Sequence, residues 1–240
     1  MTEAIQENPA ELNMREARFN MLSAIARFNM IEQQIRTWEV LDPKVLSLLN
    51  DVPRENFVPS EYAGLAFADI EIPLGEGQKM LHPKLEARML QALNVQNTHH
   101  VLHIGTGNGY FTALLASLAK HVVSVDIHAE LSQQAAKNLA QNNIHNVKLE
   151  VADGVFGRAG KLNQTFYDVI VYTGSSSVEP AGVRQQLNIG GTMLIVLGNA
   201  PVMQATLIQR VSETGFKQDV LFETCISELM NAPQAQQFEF

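Results

Sequence analysis

The chain has 240 residues and a formal net charge of -8 at pH 7, from 17 Lys and Arg against 25 Asp and Glu. This length suits one large domain, and an apolar content of 46% is ordinary for a globular protein. The acidic excess argues against binding to nucleic acid or to anionic membranes, because both select basic surfaces. The single cysteine excludes a disulfide framework and a zinc site built from cysteines.

Features of the N-terminal region predict a cytoplasmic protein. No apolar run is long enough to span a membrane, and the first residues lack the basic-then-apolar layout of a secretory signal. In a reducing compartment we expect Cys225 to be a small buried apolar group. Residues 1 to about 11 are polar and are predicted to be a disordered lead-in.

A pentapeptide, Ala-Arg-Phe-Asn-Met, begins at residue 17 and again at residue 26. The nine-residue offset places Phe19 and Phe28 on opposite faces of one helix. We interpret the repeat as a small tandem duplication, with a partner-binding phenylalanine stripe as the alternative.

Helix signals follow at two prolines. Asp42 and Pro43 predict a helix start, as N-cap and first helical residue. Prolines and glycines indicate a loop-rich stretch from about 52 to 82, and Pro83 begins another amphipathic helix. We therefore expect an N-terminal helical and loop subdomain, residues 1–82, before a second domain, residues 83–240.

The second domain alternates short apolar runs with helical segments, which predicts βαβ units. The fold class is therefore α/β, a doubly wound, mostly parallel sheet, closed by an antiparallel pair of C-terminal strands. The predicted strands are 100–104, 121–126, 147–151, 167–172, 191–196, 206–211 and 220–224, and the predicted helices are 111–119 and 129–142.

A glycine-rich loop and two acids indicate a nucleoside site at the carboxyl ends of these strands. The loop, Gly105-Thr106-Gly107-Asn108-Gly109, follows the first strand of this domain and opens a helix. Glycine permits positive φ and close approach of a ligand to the backbone. Asp126 ends the next strand, where a carboxylate binds a ribose diol, and Asp153-Gly154 follows the third. Together they predict an adenosine-containing ligand.

The loop sequence separates two ligand classes. A dinucleotide site has the pattern G-x-G-x-x-G, whereas the third glycine here comes one residue early. The loop contains no Lys or Arg, and no G-x-x-x-x-G-K-[ST] motif occurs, so phosphate binding is unsupported. A ligand with adenosine but no phosphate fits better, which points to S-adenosylmethionine.

At this point a family resemblance becomes specific. The segments Val101–Ala113, Val52–Pro59 and Ile72–Gln78, the strand ending at Asp126, Asp153-Gly154 and Gly190-Gly191 resemble motifs of the protein-L-isoaspartate O-methyltransferase family, over about residues 31 to 225. The resemblance implies methyl transfer from S-adenosylmethionine to the carboxylate of isoaspartyl residues in damaged proteins, with S-adenosylhomocysteine as product. It also implies a Rossmann-like fold and contacts to the cofactor from Gly105, Thr106, Gly107, Asn108, Gly109, Asp126, Ile127, Asp153 and Gly154.

The sequence departs from the family pattern where the substrate or the methyl donor should lie. The substrate residues implied by the resemblance are Gln78, Leu81, Thr173 and Gly174, but Leu81 stands where the family has a serine. His103 stands where the family has an acid, two residues before the first glycine. Two alternatives stay open: a cofactor-binding paralogue with reduced catalysis, acting as a regulatory or interaction module, and a methyltransferase with a different acceptor.

Other reactive side chains have weaker signals. A carboxylate acceptor is already ionised at pH 7 and needs no base, whereas a phenol or amine would need one, for which His82 is the nearest candidate. Tyr110 is either a cation–π partner of the sulfonium or a packing residue at the helix start. His99 and His103 lie too far apart on a strand to share a metal ion, so no metal is expected. Ser175 to Ser177 are predicted to form a loop.

Overall fold

The computed structural model describes residues 9–157 and 166–235. Its first element is α1, Pro9–Asn29, which continues into a π-helical turn, Met30–Ile35, and a 3-10 turn, Arg36–Trp38. The predicted disordered lead-in was therefore wrong for residues 9–11, while residues 1–8 lie outside the described part. One helix contains both phenylalanines; Phe28 is 63% exposed, and the side chain of Phe19 lies outside the described part.

Two further N-terminal helices begin where their prolines predict. In α2, Pro43–Asp51, Asp42 is the N-cap and its Oδ1 accepts a hydrogen bond from the backbone N–H of Lys44 at 2.8 Å. Helix α3 spans Pro83–Leu93. The intervening stretch contains two 3-10 turns, Arg54–Asn56 and Ser60–Leu65, and an antiparallel hairpin that the sequence analysis missed, made of β1, Ile72–Gly75, and β2, Gln78–Met80.

The remaining strands form one seven-stranded sheet, which confirms the predicted fold class. In chain order they are β3, His100–Ile104; β4, His121–Asp126; β5, Val147–Val151; β6, Tyr167–Ser176; β7, Leu187–Asn199; β8, Val202–Arg210; and β9, Phe216–Thr224. Helix α4, Tyr110–Leu118, joins β3 to β4, and α5, Ala129–Gln141, joins β4 to β5.

The strand order is β5-β4-β3-β6-β7-β8-β9. The first five strands in this order are parallel, and β8 is antiparallel to both of its neighbours. The chain thus winds outward in both directions from the junction of β3 and β6. In an open α/β sheet, such a switch point marks the usual crevice for a ligand.

Helices α2, α3 and α4 pack on one face of the sheet. Alternate strand residues point to opposite faces, so Val101 and Val169 pack in a large cluster with α2, α3 and α4, whereas Leu102 and Ile170 belong to a smaller one. The large cluster contains residues from both sides of the predicted boundary at 82/83, and that division stays a prediction. In the described part of the chain, no helix combines the length and apolarity needed to cross a bilayer.

Candidate functional site

A cleft lies at the carboxyl ends of β3, β4 and β6, against the switch point of the sheet. Hairpin β1–β2 and a C-terminal segment form its other walls. The lining includes all but one of the cofactor and substrate residues proposed above: Gln78, Leu81, Gly105, Thr106, Gly107, Asn108, Asp126, Ile127, Asp153, Gly154, Thr173 and Gly174.

The glycine loop has a conformation that other residues would strain. Gly105 has φ +97° and Gly107 has φ +55°, in the left-handed region where a side chain is unfavourable. A Cβ atom added at Gly105 would lie 2.6 Å from Oγ1 of Thr173, and one at Gly107 would lie 3.3 Å from Leu74. The loop therefore exposes bare backbone to the cleft.

Asp126 faces this loop with its carboxylate held in place. Its Oδ2 accepts a hydrogen bond from the N–H of Gly107 at 2.8 Å, and its Oδ1 accepts one from the N–H of His128 at 2.9 Å. The residue is 7% exposed and lines the cleft. A carboxylate has about four acceptor sites, so two remain for a ligand. The adjacent Ile127 adds an apolar surface that is 36% exposed.

The second acid, Asp153, organises the far end of the cleft. Its Oδ1 accepts a hydrogen bond from the N–H of Val155 at 3.0 Å, and its Oδ2 accepts one from the side-chain amide of Asn231 at 2.9 Å. Asp153 thereby joins the loop after β5 to the C-terminal segment. At the next residue, Gly154, a Cβ atom would lie within 3.3 Å of Val125 and Ile104, so this loop packs directly on the strands.

Asn108 connects the glycine loop to the N-terminal part of the chain. Its side-chain amide donates hydrogen bonds to the carbonyl of Phe57 at 2.9 Å and to Sδ of Met80 at 3.0 Å. Its own carbonyl oxygen accepts from the side-chain amide of Asn138 in α5 at 2.9 Å. The loop, the hairpin and α5 are therefore held together at one residue.

His103, in β3 beneath the loop, is fully buried and bonded at both ring nitrogens. Nδ1 lies 2.9 Å from Oγ1 of Thr112, and Nε2 lies 3.0 Å from Oγ1 of Thr173. Burial lowers the pKa of His103 to about 3, because the apolar interior disfavours the charged ring. The imidazole is therefore neutral at physiological pH.

The predicted substrate residue Leu81 lines the cleft and is only 6% exposed. Arg54 donates from Nη2 to the Leu81 carbonyl at 2.7 Å and from Nε to the Ala66 carbonyl at 2.9 Å. Its Nη1 forms a buried ion pair with Glu86. Burial raises the pKa of Glu86 to about 7, against the attraction of Arg54. Sequence reasoning missed this anchor of the substrate loop, since nothing in the sequence relates Arg54 to Glu86.

A C-terminal segment closes the acceptor side and was also missed. Ser227, Leu229 and Met230 line the cleft. The N–H of Ser175 donates to the carbonyl of Ser227 at 2.9 Å, and the N–H of Leu229 donates to the carbonyl of Ser175 at 2.9 Å. Ser175 and Ser176 also pair with Val196 and Leu197 of β7 and belong to β6, so the predicted loop at residues 175 and 176 was wrong. A Cβ atom at Gly174 would lie 2.6 Å from Leu229. The glycine at this position is the one feature of the sequence that could have indicated this close contact.

Two of the predicted site residues do not line the cleft. Gly109 is the N-cap of α4, and a Cβ atom there would lie 3.1 Å from Cβ of Ala135 in α5, so its position serves helix packing. His82 turns away from the cleft, with Nδ1 3.2 Å from Oδ1 of Asp69, and is one-third exposed.

The packing alternative for Tyr110 fits the structure, whereas the expectation for Cys225 does not. The ring of Tyr110 is buried and contacts a cation, but that cation is Arg54, whose guanidinium carbon lies 4.9 Å from the ring centroid. The predicted burial of Cys225 was wrong, because its thiol is exposed. Among the described residues, no three His, Cys, Asp or Glu side chains are grouped to hold a metal ion.

Comparison with known proteins identifies the family. A profile of the protein-L-isoaspartate(D-aspartate) O-methyltransferase family matches residues 26–229. The chain belongs to this family. A protein-L-isoaspartate O-methyltransferase from Magnetococcus marinus is 38% identical over 184 residues, which cover 77% of this chain and 79% of the relative. One from Rhodopseudomonas palustris is 34% identical over 88% of this chain and 95% of its own length.

A solved structure supports the fold. A Plasmodium falciparum protein, described as a protein-L-isoaspartate O-methyltransferase and crystallised with S-adenosyl-L-homocysteine, superposes with a TM-score of 0.71. The two chains share 17% identity, and the match covers 84% of this chain and 96% of the other. Family membership and fold therefore confirm the resemblance that the motifs predicted.

Proposed function

We propose that the protein is an S-adenosylmethionine-dependent O-methyltransferase that methylates the carboxylate of isoaspartyl residues in damaged proteins, with S-adenosylhomocysteine as product. The observation that carries the proposal is the carboxylate of Asp126, held by two backbone N–H groups at the edge of the cleft with acceptor capacity left for a ribose. Membership in a family of isoaspartate O-methyltransferases supports the reaction.

The residues of the cleft fit this cofactor better than a phosphorylated nucleotide. The lining contains acidic Glu71, Asp126 and Asp153, and Lys79 is the one Lys or Arg among the described lining residues. A phosphate would be repelled by this charge, whereas a sulfonium cation is compatible with it. Gly105 and Gly107 would hold the methionine portion of the cofactor against bare backbone, and Ile127 would contact the adenine.

When bound, the cofactor supplies an activated methyl group for in-line displacement. Protein residues therefore have to align the acceptor and exclude water rather than move a proton, since a carboxylate with a reference pKa of about 4 is already ionised. Leu81, Leu229 and Thr173 would shape the acceptor pocket, and Arg54 would fix the Leu81 loop through its carbonyl. The His82 assignment as base would apply only to a phenol or amine acceptor.

The proposal is tested with labelled S-adenosylmethionine and two matched peptides, one with isoaspartate and one with aspartate. We expect base-labile methyl ester only on the isoaspartyl peptide. Asp126→Ala should weaken cofactor binding by about tenfold or more, because charged hydrogen bonds are lost, whereas exposed Asp219→Ala should have no effect. Cofactor binding without any methyl ester would contradict the assigned reaction.

A second candidate function is favoured by Leu81. Its side chain lines the acceptor pocket at the position of the family serine, where a hydroxyl would orient the substrate. The protein would then bind the cofactor and either methylate a different acceptor or act as a regulatory module. Methylation of a lysate in the presence of labelled cofactor, compared with the isoaspartyl peptide, distinguishes these outcomes.

We further propose that the protein acts in the cytoplasm on a protein or peptide partner. The exposed free thiol of Cys225 supports a reducing compartment, and the isoaspartyl partner follows from the family. Cell fractionation with an antibody to the protein tests the location, and recovery in an oxidising compartment would contradict it.

A further inference from the structure

A chain of buried hydrogen bonds begins at the Gly105 carbonyl and runs beneath the glycine loop. Oγ1 of Thr173 lies 2.6 Å from this carbonyl oxygen and 3.2 Å from that of Ile104. Neither carbonyl oxygen can donate, so the hydroxyl hydrogen of Thr173 must point towards them. Thr173 then accepts a hydrogen bond from Nε2 of His103, 3.0 Å away. Nε2 of His103 therefore carries a proton.

The other ring nitrogen of His103 continues the chain back to the loop. Oγ of Ser124 and Oγ1 of Thr112 lie 3.1 Å and 2.9 Å from Nδ1. Ser124 in turn lies 2.7 Å from Oγ1 of Thr106, the loop residue after Gly105. With Nε2 protonated, a neutral ring accepts at Nδ1, where one lone pair is available to the hydroxyls of Ser124 and Thr112, which also lie 3.2 Å from each other.

None of the side chains in this series of hydrogen bonds needs to be charged. Four of the five side chains on the path, Thr106, Ser124, Thr112 and His103, are each at most 3% exposed, Thr173 is partly buried, and the groups bonded to the ring are all hydroxyls. The low pKa of His103 agrees with a ring that stays neutral when the protein is folded. A buried polar chain with every group satisfied rigidifies the backbone to which it is attached.

We propose that His103 is a positioning residue for the methyl donor. As the neutral Nε2–H tautomer, it holds two consecutive residues of the glycine loop: the Gly105 carbonyl through Thr173, and the Thr106 side chain through Ser124. The inference rests on the proposed function in assigning the loop to the donor. His103 does not line the cleft, so it acts through its neighbours.

One consequence concerns Thr173. Its hydroxyl hydrogen is used by the loop carbonyl and its oxygen by His103, so Thr173 supplies shape rather than a free donor to the acceptor pocket. A second concerns Asp126. The loop conformation that His103 fixes is also the one that directs the N–H of Gly107 to the Asp126 carboxylate.

Two substitutions distinguish the roles of the two ring nitrogens of His103. In His103→Gln, the side-chain amide can occupy the place of Nε2 and still donate to Thr173; in His103→Asn, the shorter amide reaches only the place of Nδ1. We expect the glutamine variant to keep the affinity for S-adenosylmethionine within about threefold, and the asparagine variant to lose about tenfold, as expected for one hydrogen bond.

The kinetic readout distinguishes positioning from a general loss of stability. His103→Asn should raise the KM for the methyl donor and leave the KM for the peptide, at saturating donor, unchanged. Ile208→Val, a buried β8 position that does not line the cleft, serves as a destabilised control and should change neither KM.

A double-mutant cycle and a spectrum complete the test. His103→Asn and Thr173→Val remove the same hydrogen bond, so their combined effect on donor affinity should not exceed the larger single effect, whereas His103→Asn with Ile208→Val should be additive. In the nitrogen-detected NMR spectrum of the wild-type protein at pH 5.5, His103 should show the neutral Nε2–H tautomer.

Three results would overturn the inference: an unchanged donor affinity in His103→Asn, additivity with Thr173→Val, or a spectrum of the cationic ring or of the Nδ1–H tautomer. The spectrum is measured on the wild-type chain, so it decides even where a variant does not fold. Failure of the wild-type protein to bind S-adenosylmethionine would contradict the proposed function instead, and the spectrum would still test the hydrogen-bond chain.

Discussion

The two sides of the cleft are built differently. On the cofactor side, Asp126 binds backbone N–H groups, and buried hydroxyls tie the loop to His103. On the acceptor side, Leu81, Leu229 and Met230 present apolar side chains, and exposed Lys79 pairs with Glu71. A site made of backbone depends on a few glycines and short polar residues, whereas a site made of side chains can change its chemistry by single substitutions. Of the two departures from the family pattern, Leu81 lies on the acceptor side, whereas His103 lies beneath the glycine loop and does not line the cleft.

Besides Asn108, a second residue connects the two sides through the N-terminal part of the chain. Arg54 holds the carbonyls of Leu81 and Ala66 and packs on the ring of Tyr110 at the start of α4. Replacing Arg54 should therefore have the largest effect of the substitutions considered below, because it loosens the Leu81 loop while leaving Asp126 and the glycine loop in place.

Arg54→Met should lower the free energy of unfolding by about 3–5 kcal/mol, since it leaves the carboxylate of Glu86 buried without its partner. Protonation of Glu86 reduces this cost, so the loss should be smaller below pH 7 than above it. Urea unfolding at two pH values measures both effects.

Arg36→Met is the matched control, because Arg36 pairs with Glu32 on an exposed helical turn. It should cost at most about 0.5 kcal/mol. Equal losses in the two variants would show that the buried pair contributes nothing specific.

Acid should weaken the cofactor side through His103. Its pKa is about 3 in the folded protein and near 6.5 when unfolded. Between these values the unfolded chain binds one more proton, so the stability contributed by His103 is complete above pH 6.5 and falls by about 1.4 kcal/mol for each pH unit below it.

The His103→Gln variant removes the ionisable ring and so isolates the contribution of His103 to the pH dependence of stability. The unfolding free energy of the wild-type protein relative to the variant should fall by about 2 kcal/mol between pH 6.5 and pH 4.5, because the unfolded histidine is already half protonated at pH 6.5. Parallel pH profiles for the two proteins would show that His103 does not change protonation on unfolding.

Gly105→Ala tests whether the cofactor side depends on bare backbone. The alanine would keep φ +97°, and its Cβ atom would lie 2.6 Å from Oγ1 of Thr173. We therefore expect roughly 1–2 kcal/mol of strain and a further loss of cofactor affinity of about tenfold. Calorimetric titration with S-adenosylmethionine measures the second effect.

Gly182→Ala supplies its control. Gly182 also has positive φ, +80°, but no atom lies within 4 Å of the added Cβ. The variant should show the backbone strain and normal cofactor affinity. A normal affinity in Gly105→Ala as well would mean that the close contact with Thr173 is not required.

Leu81→Ser should have the smallest effect on the protein, and it tests the acceptor side alone. A hydroxyl in the acceptor pocket supplies a hydrogen bond to the substrate, and we expect kcat/KM for the isoaspartyl peptide to rise by about tenfold with cofactor affinity unchanged. Leu65→Ser, at a half-exposed turn position away from the cleft lining, should leave both values unchanged. A lower rate in Leu81→Ser would indicate that the pocket is adapted to an apolar acceptor.

Much of the architecture could be predicted from local signals. The strand His100–Ile104 was predicted with its observed ends, because an apolar run between turn residues has few alternatives. Asp42 and Pro43 marked a helix start for the same local reason. The predictions failed where partners are distant in sequence: Ser175 and Ser176 are strand residues because they pair with Val196 and Leu197 of β7, and Ser175 also bonds to Ser227 and Leu229, some fifty residues later.

The sequence by itself determined the fold class, the glycine loop and the acid that faces it, since periodicity and the conformational demands of glycine act over a few neighbouring residues. Only the tertiary structure decided which side chains share the acceptor pocket, that Arg54 anchors the Leu81 loop, and that His103 is joined to Thr173, seventy positions away. Burial and hydrogen-bond geometry depend on how distant segments meet, and that information is not contained in any local pattern of residues.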